Sequence, residues 1–215
     1  MVSHLLNIDE TLATTVAQKL GLQSMPKSAD AAIPTRQDLE VSRALSIVEN
    51  GPKRFEGRKL GILVTDGVDA KLLNGLVTAV NKEKGMCELI APKVGGVTAS
   101  DGSLVKAHHM IDGGPSVLFD AVALLTSAEA INDLVTEAAA RDFVADAFQH
   151  CKFIGYDQSA MPLLDKAGIT DALDEGVLAL PGEDGLSGFV SELGKLRVWG
   201  REPSVKLGKA SQPAK

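Results

Sequence analysis

The segment 58–73, RKLGILVTDGVDAKLL, constrains this chain more than any other. Leu60–Gly61–Ile62–Leu63–Val64 is a short continuous apolar run, the pattern of a strand buried on both faces of a parallel sheet. Thr65–Asp66–Gly67 supplies turn chemistry, and Gly67 is free to take a positive φ. From Asp69 the period becomes helical, with Leu72, Leu73, Leu76, Val77 and Val80 at spacings of three and four. A strand, a tight turn and an amphipathic helix make the first half of a βαβ unit.

Later segments read as further units of an α/β domain spanning about 58–200. Cys87–Ala91 is a predicted strand ended by Pro92, and Val97–Ala99 with Leu104–Lys106 a predicted small hairpin. Phe119–Thr126, Lys152–Tyr156 and Val177–Leu180 are the remaining strands. Helices are expected over 128–150 with a break near Val135, over Ser159–Lys166, and from about Gly185 to Leu196. Apolar residues are 45% of the chain and aromatics only 4%, so the core must be built mainly from Ala, Val, Leu and Ile.

Residues 1–22 predict one helix, with Asp9 as N-cap, Leu12, Val16, Ala17 and Leu20 as its apolar face, and Gly21 as its stop. Such a helix cannot bury its stripe alone. Residues 23–57 hold Pro26, Pro34 and Pro52 and a short apolar island at 44–48, the composition of an extended linker. From Lys195 onward the tail carries Lys195, Arg197, Arg201, Lys206, Lys209 and Lys215 against the single acid Glu202. It reads either as an electrostatic contact with an acidic neighbour or as a solvated terminus over its last ten residues. Trp199 is expected to anchor the start of this tail to a surface.

A net charge of −6 disfavours nucleic acid as a partner. No apolar run approaches the ~20 residues of a membrane span, and Asp9 and Glu10 interrupt any signal-peptide core. Cys87 and Cys151 fall in apolar strand-like segments and read as buried small hydrophobes rather than a disulfide framework or a zinc site.

In an open α/β sheet ligands sit beyond the carboxyl ends of the strands. That places Asp66, Gly67 and Asp69, then Thr126 and Ser127, then Tyr156, Asp157, Gln158 and Ser159 where a site would form. TDGVDA has one glycine where a dinucleotide fingerprint needs three, and no Walker loop occurs. The Thr, Ser and Asp mix is permissive for an FMN-like site but nonspecific. The segment 154–160 has the context of a strand-to-helix elbow, but its tip is Asp157, a weak acyl-transfer nucleophile with no histidine beside it. Ser159 lacks a flanking base, and Cys151 lies about 17 Å from the tip along an extended chain. His108 and His109 point to opposite faces if extended, and Asp112 alone is thin support for a metal. His4 and His150 read as helix-end residues. Asp174–Glu175 and Glu183–Asp184 read as turn and N-cap groups.

The segments SVLFDAVALL, AFQHCKFIGY and LRVWGREP together resemble the C-terminal domain of large-subunit catalases. The opening VSHLLNIDETLATTVAQKLGL resembles the last helix of the core in that group. The resemblance implies a core-helix remnant over 1–22, an interdomain linker over 23–57, a flavodoxin-like domain over 58–200 and a basic tail over 201–215. The fold so implied is doubly wound and mainly parallel, with helices on both faces. It also implies a parent that is a haem-dependent, homotetrameric, peroxide-decomposing catalase whose haem domain is not in this sequence. The partners implied are the core domain and the other subunits. Relatives occur both inside cells and secreted, so the compartment stays open.

The domain is also similar to the type-1 glutamine amidotransferase-like superfamily, which includes proteases, small-aldehyde glyoxalases and holdase chaperones. Alignment by strand and elbow puts Asp157 at the position of its catalytic Cys and Leu72 at that of its supporting acid. No catalytic, cofactor or metal residue carries over. The resemblance thus implies an accessory domain. The alternatives are an ATP-independent holdase for unfolded client proteins and a residual amidase or glyoxalase using Cys151 or Asp157.

Overall fold

A computed structural model describes residues 1–36 and 38–205, with the backbone alone at 183 and 184. The chain divides into two compact units, one over Met1–Ser46 and one from Ile47 onward.

In the first unit α1 (Val2–Leu5) precedes α2 (Glu10–Lys19). Asp9 caps α2, its carboxylate accepting the Leu12 N–H at 2.7 Å, and Gly21 follows the helix at φ +71°. The buried face differs from the expected one. Ala13 and Ala17 are buried with Val2 beside Leu5, Leu6 and Val16, whereas Leu12 and Leu20 are 45% and 60% exposed. The small residues at i and i+4 admit the short α1, so the stripe turns toward them and leaves the leucines outside.

The second unit opens with α3 (Ile47–Asn50) and then builds a six-stranded parallel sheet. Its strands are β1 (Lys59–Val64), β2 (Met86–Ala91), β5 (His109–Met110), β6 (Ala121–Leu125), β7 (Ile154–Tyr156) and β8 (Val177–Ala179), in the order β5-β2-β1-β6-β7-β8. β3 (Val97–Thr98) and β4 (Leu104–Val105) form the expected antiparallel hairpin. The short β5, beside β2, was not predicted as a strand.

Helices cover both faces. On one lie α4 (Ala70–Lys82) and α8 (Glu183–Leu193), whose Leu73, Leu76, Val80 and Phe189 pack on Leu60, Ile62, Val64 and Leu125. On the other lie α5 (Ile131–Leu134), α6 (Ala138–Gln149) and α7 (Met161–Lys166), packing on Leu63, Val122, Leu124 and Ile154. Alternate residues of β1 and β6 serve opposite cores, which is why both strands read as unbroken apolar runs. Gly61 is required where it stands, because a Cβ there would lie 2.4 Å from the Phe119 ring. Phe55, 2% exposed, already belongs to the first core. This is a flavodoxin-like α/β fold.

A 3₁₀ turn at Trp199–Arg201 and α9 (Glu202–Val205) fold back onto the domain. Lys195 pairs with Glu192 at 2.5 Å and Arg197 donates to the Asp120 carbonyl at 3.0 Å. Lys206, Lys209 and Lys215 lie outside the described residues. Gly182 is the N-cap of α8, so Glu183 and Asp184 begin that helix rather than precede it.

Candidate functional site

The carboxyl ends of β6 and β7 bring Thr126, Asp157 and Ser159 together. One Asp157 oxygen accepts the Thr126 N–H at 2.7 Å. The other accepts the Ser159 hydroxyl at 2.7 Å, the Ala160 N–H at 3.1 Å and the Thr126 hydroxyl at 3.3 Å. The Thr126 and Ser159 hydroxyls also lie 2.7 Å apart. Asp157 is the N-cap of a 3₁₀ turn at Gln158–Ala160 that leads into α7, and its φ −79°, ψ 161° is relaxed extended backbone. Burial pushes its carboxyl above the ordinary carboxylate value, against those hydrogen bonds, which favour the ionised form. One oxygen thus serves the turn it caps, and the other holds the end of β6.

The other expected residues do not converge on it. Leu72 sits on α4, half-buried against the first core. Asp69 caps α4, accepting from the N–H groups of Lys71 and Leu72 at 2.8 and 3.0 Å. Asp66 accepts the Thr98 N–H at 2.8 Å, which with Lys93 at 3.5 Å holds its carboxyl below the usual range. Gly67, at φ +80°, passes within 3.0 Å (measured from an added Cβ) of Ser127, whose hydroxyl accepts the Ala130 N–H at 3.1 Å. Thr65 accepts the Ser127 N–H at 2.9 Å. A cleft of about 280 Å³ opens beside Thr65, Asp66, Lys93, Asp133 and Glu137, and neither Leu72 nor Asp157 lines it. Tyr156 packs on the second core.

Cys151 is not on a strand. It is buried in the turn that closes α6, at φ +56°, while Cys87 is half-buried on β2. Burial raises both thiols, that of Cys87 to about 12, which withholds the nucleophilic thiolate. His109 Nε2 lies 2.8 Å from Glu88, which also pairs with Lys59, and His108 Nδ1 accepts the Leu89 N–H at 2.9 Å. The two imidazoles are therefore committed to different partners. Among the described residues no group of three His, Cys, Asp or Glu is placed to hold a metal ion, and no helix is long and apolar enough to cross a membrane.

Two buried charges escaped the sequence reading. Arg201, 2% exposed, forms a bidentate pair with Asp174 at 2.6 and 2.7 Å and donates to the carbonyls of Lys152 at 2.8 Å and Phe148 at 3.3 Å. Its guanidinium also lies 4.2 Å from the Phe148 ring centroid. Lys152, 3% exposed, donates to the carbonyls of Ser116 at 2.5 Å and Phe119 at 2.7 Å, and burial pulls its ammonium down to about 8. The visible signal was a lysine inside an apolar strand run. Asp174 was expected only as a turn residue, and it does accept the Gly176 N–H at 2.9 Å.

Comparison with known proteins gives the family. Residues 56–203 match the C-terminal domain found in long catalases. The chain is 66% identical over 207 residues to Catalase C of Rhizobium meliloti, covering 96% of this chain and 29% of that protein. It is 30% identical to Catalase HPII of Pseudomonas putida, over 94% of this chain and 28% of the relative. Against Catalase HPII of Mycobacterium avium it is 32% identical over 81% and 24%. The chain thus spans under a third of the length of these curated relatives. It belongs to the family of C-terminal domains found in long catalases.

Proposed function

We propose that this chain is a non-catalytic accessory domain of a large-subunit catalase, stabilising the parent tetramer and shaping access to its core. The parent on this reading is a haem-dependent homotetramer that decomposes hydrogen peroxide in defence against oxidative stress. The domain's partners are the core and the neighbouring subunits. One observation supports the reading: both Asp157 oxygens are engaged, one by the Ser159 hydroxyl and Ala160 N–H of its own turn and the other by the Thr126 N–H, at the position where alignment by strand and elbow with the amidotransferase-like enzymes expects a nucleophile and where Leu72 takes the place of its acid. The described residues do not fit a haem. Tyr156 packs in a core, His109 is bonded to Glu88, His108 accepts a backbone N–H, and His4 and His150 are exposed at helix ends. Haem therefore belongs elsewhere in the parent.

Two measurements test this. Methylglyoxal consumption by the chain, by Cys151→Ser and by Asp157→Asn is expected to equal background in all three. The parent catalase without this domain is expected to keep its peroxide turnover per haem and to inactivate at lower temperature. Turnover lost in either variant would overturn the non-catalytic reading, and unchanged heat inactivation would overturn the stabilising role.

A second reading is an ATP-independent holdase for unfolded clients. It is favoured by an apolar cleft of about 500 Å³ beside Ile47, Val48, Leu196 and Trp199, of which Ile47 and Val48 are 61% and 58% exposed. Light scattering of a heat-denaturing enzyme with equimolar chain decides it. No suppression, with no binding of a hydrophobic dye, leaves the structural role alone.

A further inference from the structure

The break between α5 and α6 opens a further, chemically different cavity against α7. It measures about 400 Å³ and is lined by Val135, Thr136, Arg141, Pro162, Asp165 and Lys166. Lys59, Lys93, Arg54 and Arg201 each pair with a carboxylate, whereas Arg141 and Lys166 form no ion pair among the described residues. Arg141 Nε is moreover buried and has no acceptor. A guanidinium N–H left without a partner is costly, and a planar oxyanion-matching fork is the group that a phosphate or carboxylate satisfies best.

We propose that this cavity binds a small organic oxyanion of the phosphate-monoester class. Arg141 and Lys166 hold the phosphoryl oxygens, and Val135 and Pro162 flank the organic part. The helix dipole places partial positive charge at the start of α6, between Thr136 and Arg141, where the N-cap Glu137 also sets a carboxylate. The one acid in the lining, Asp165, already accepts the Thr170 hydroxyl at 3.1 Å, and it leaves the lining with a surplus of one positive charge. The chain's net charge of −6 does not cancel this, because charges beyond a Debye length of about 8 Å are screened at physiological salt. The site stands independently of the accessory-domain reading.

The test is a titration of the ¹⁵N-labelled chain at constant ionic strength with sodium phosphate, phenyl phosphate and sodium chloride, followed by amide and arginine Nε resonances. Both phosphates are expected to move Arg141 Nε and the amides around Thr136 and Lys166 saturably, phenyl phosphate at several-fold lower concentration. Chloride is expected to move them little. Arg141→Gln is expected to weaken binding by about tenfold or more, and Arg141→Lys by less, since it retains charge without the fork. Lys166→Gln, at an exposed position, gives the same test where folding is not in question. Equal responses to chloride and phosphate, or an unchanged affinity in folded Arg141→Gln or Lys166→Gln, would overturn the proposal.

Discussion

Arg201 offers the sharpest test of how this domain is held together. Its side chain is fully enclosed, and Arg201→Met would keep most of its apolar stem while removing the guanidinium. The variant loses the bidentate pair to Asp174, two hydrogen bonds to carbonyls and the contact over Phe148. Removing one member of a buried pair costs about 3–5 kcal/mol. Asp174 retains the Gly176 N–H and keeps 21% of its side chain exposed, so water recovers part of its solvation. The lower end, about 3 kcal/mol, is therefore expected, or a drop of roughly 6–12 °C in midpoint for a domain of this size.

The assay is urea and thermal unfolding followed by far-UV circular dichroism and by fluorescence of the single tryptophan, Trp199, two residues from the perturbation. A double variant, Arg201→Met with Asp174→Leu, is expected to recover much of the loss, because it leaves no uncompensated carboxylate. A cost below about 1 kcal/mol for Arg201→Met would refute the reasoning, since an enclosed guanidinium with four acceptors cannot be that dispensable if it is placed as described. So would a tryptophan transition well ahead of the dichroism change in the parent chain, because residues 197–205 would then be separable from the sheet.

Three further outcomes are expected. With the folded-state Lys152 near 8 and its unfolded value near 10.4, the unfolded chain holds the extra proton between them, so stability rises with pH across that window. Cys87 near 12 acts oppositely above about pH 8.5, so the parent's profile should be nearly flat; replacing both cysteines by Ala should expose a rise of about 2 kcal/mol from about pH 8 to about pH 10, in urea unfolding. Asp157→Asn turns an amide N–H toward the Thr126 N–H and should lower the urea midpoint by the equivalent of about 1–3 kcal/mol with the slope unchanged; no shift would mean the carboxylate is not a cap. Gly61→Ala drives a methyl into the Phe119 ring and should cost about 1–3 kcal/mol, partly restored by Phe119→Leu; a neutral result would contradict the close approach of β1 and that ring.

β1 and β6 were legible because each is buried on both faces, and a run such as Leu60–Val64 or Ala121–Leu125 admits few other placements. The capping of α2 and α4 by Asp9 and Asp69 was legible because it is local. What escaped was non-local or very short. Asp174 and Arg201 are 27 residues apart and neither segment carries a signature that predicts the other. β5 is two residues long, below the length at which any period registers. In the N-terminal stripe Val16 and Ala17 pack as expected, but Ala13 is buried where Leu12 and Leu20 were expected, because leucines outrank alanines on any hydropathy argument.

Asp157 stands out in the sequence as the tip of a strand-to-helix turn, where a carboxylate is a weak acyl-transfer nucleophile. The geometry adds a stronger argument. A nucleophile at such a turn must present an unshared lone pair to a substrate, whereas this carboxylate directs its lone pairs at Thr126, Ser159 and Ala160. Chemistry at the Oδ1 atom of Asp157 would first require breaking the bonds that start the 3₁₀ turn and α7 behind it. At this position the group that would react is also a group that holds the turn. A hydroxyl or thiol in the same place would cap more weakly and stand free to react, so the choice of a carboxylate here favours structure over catalysis.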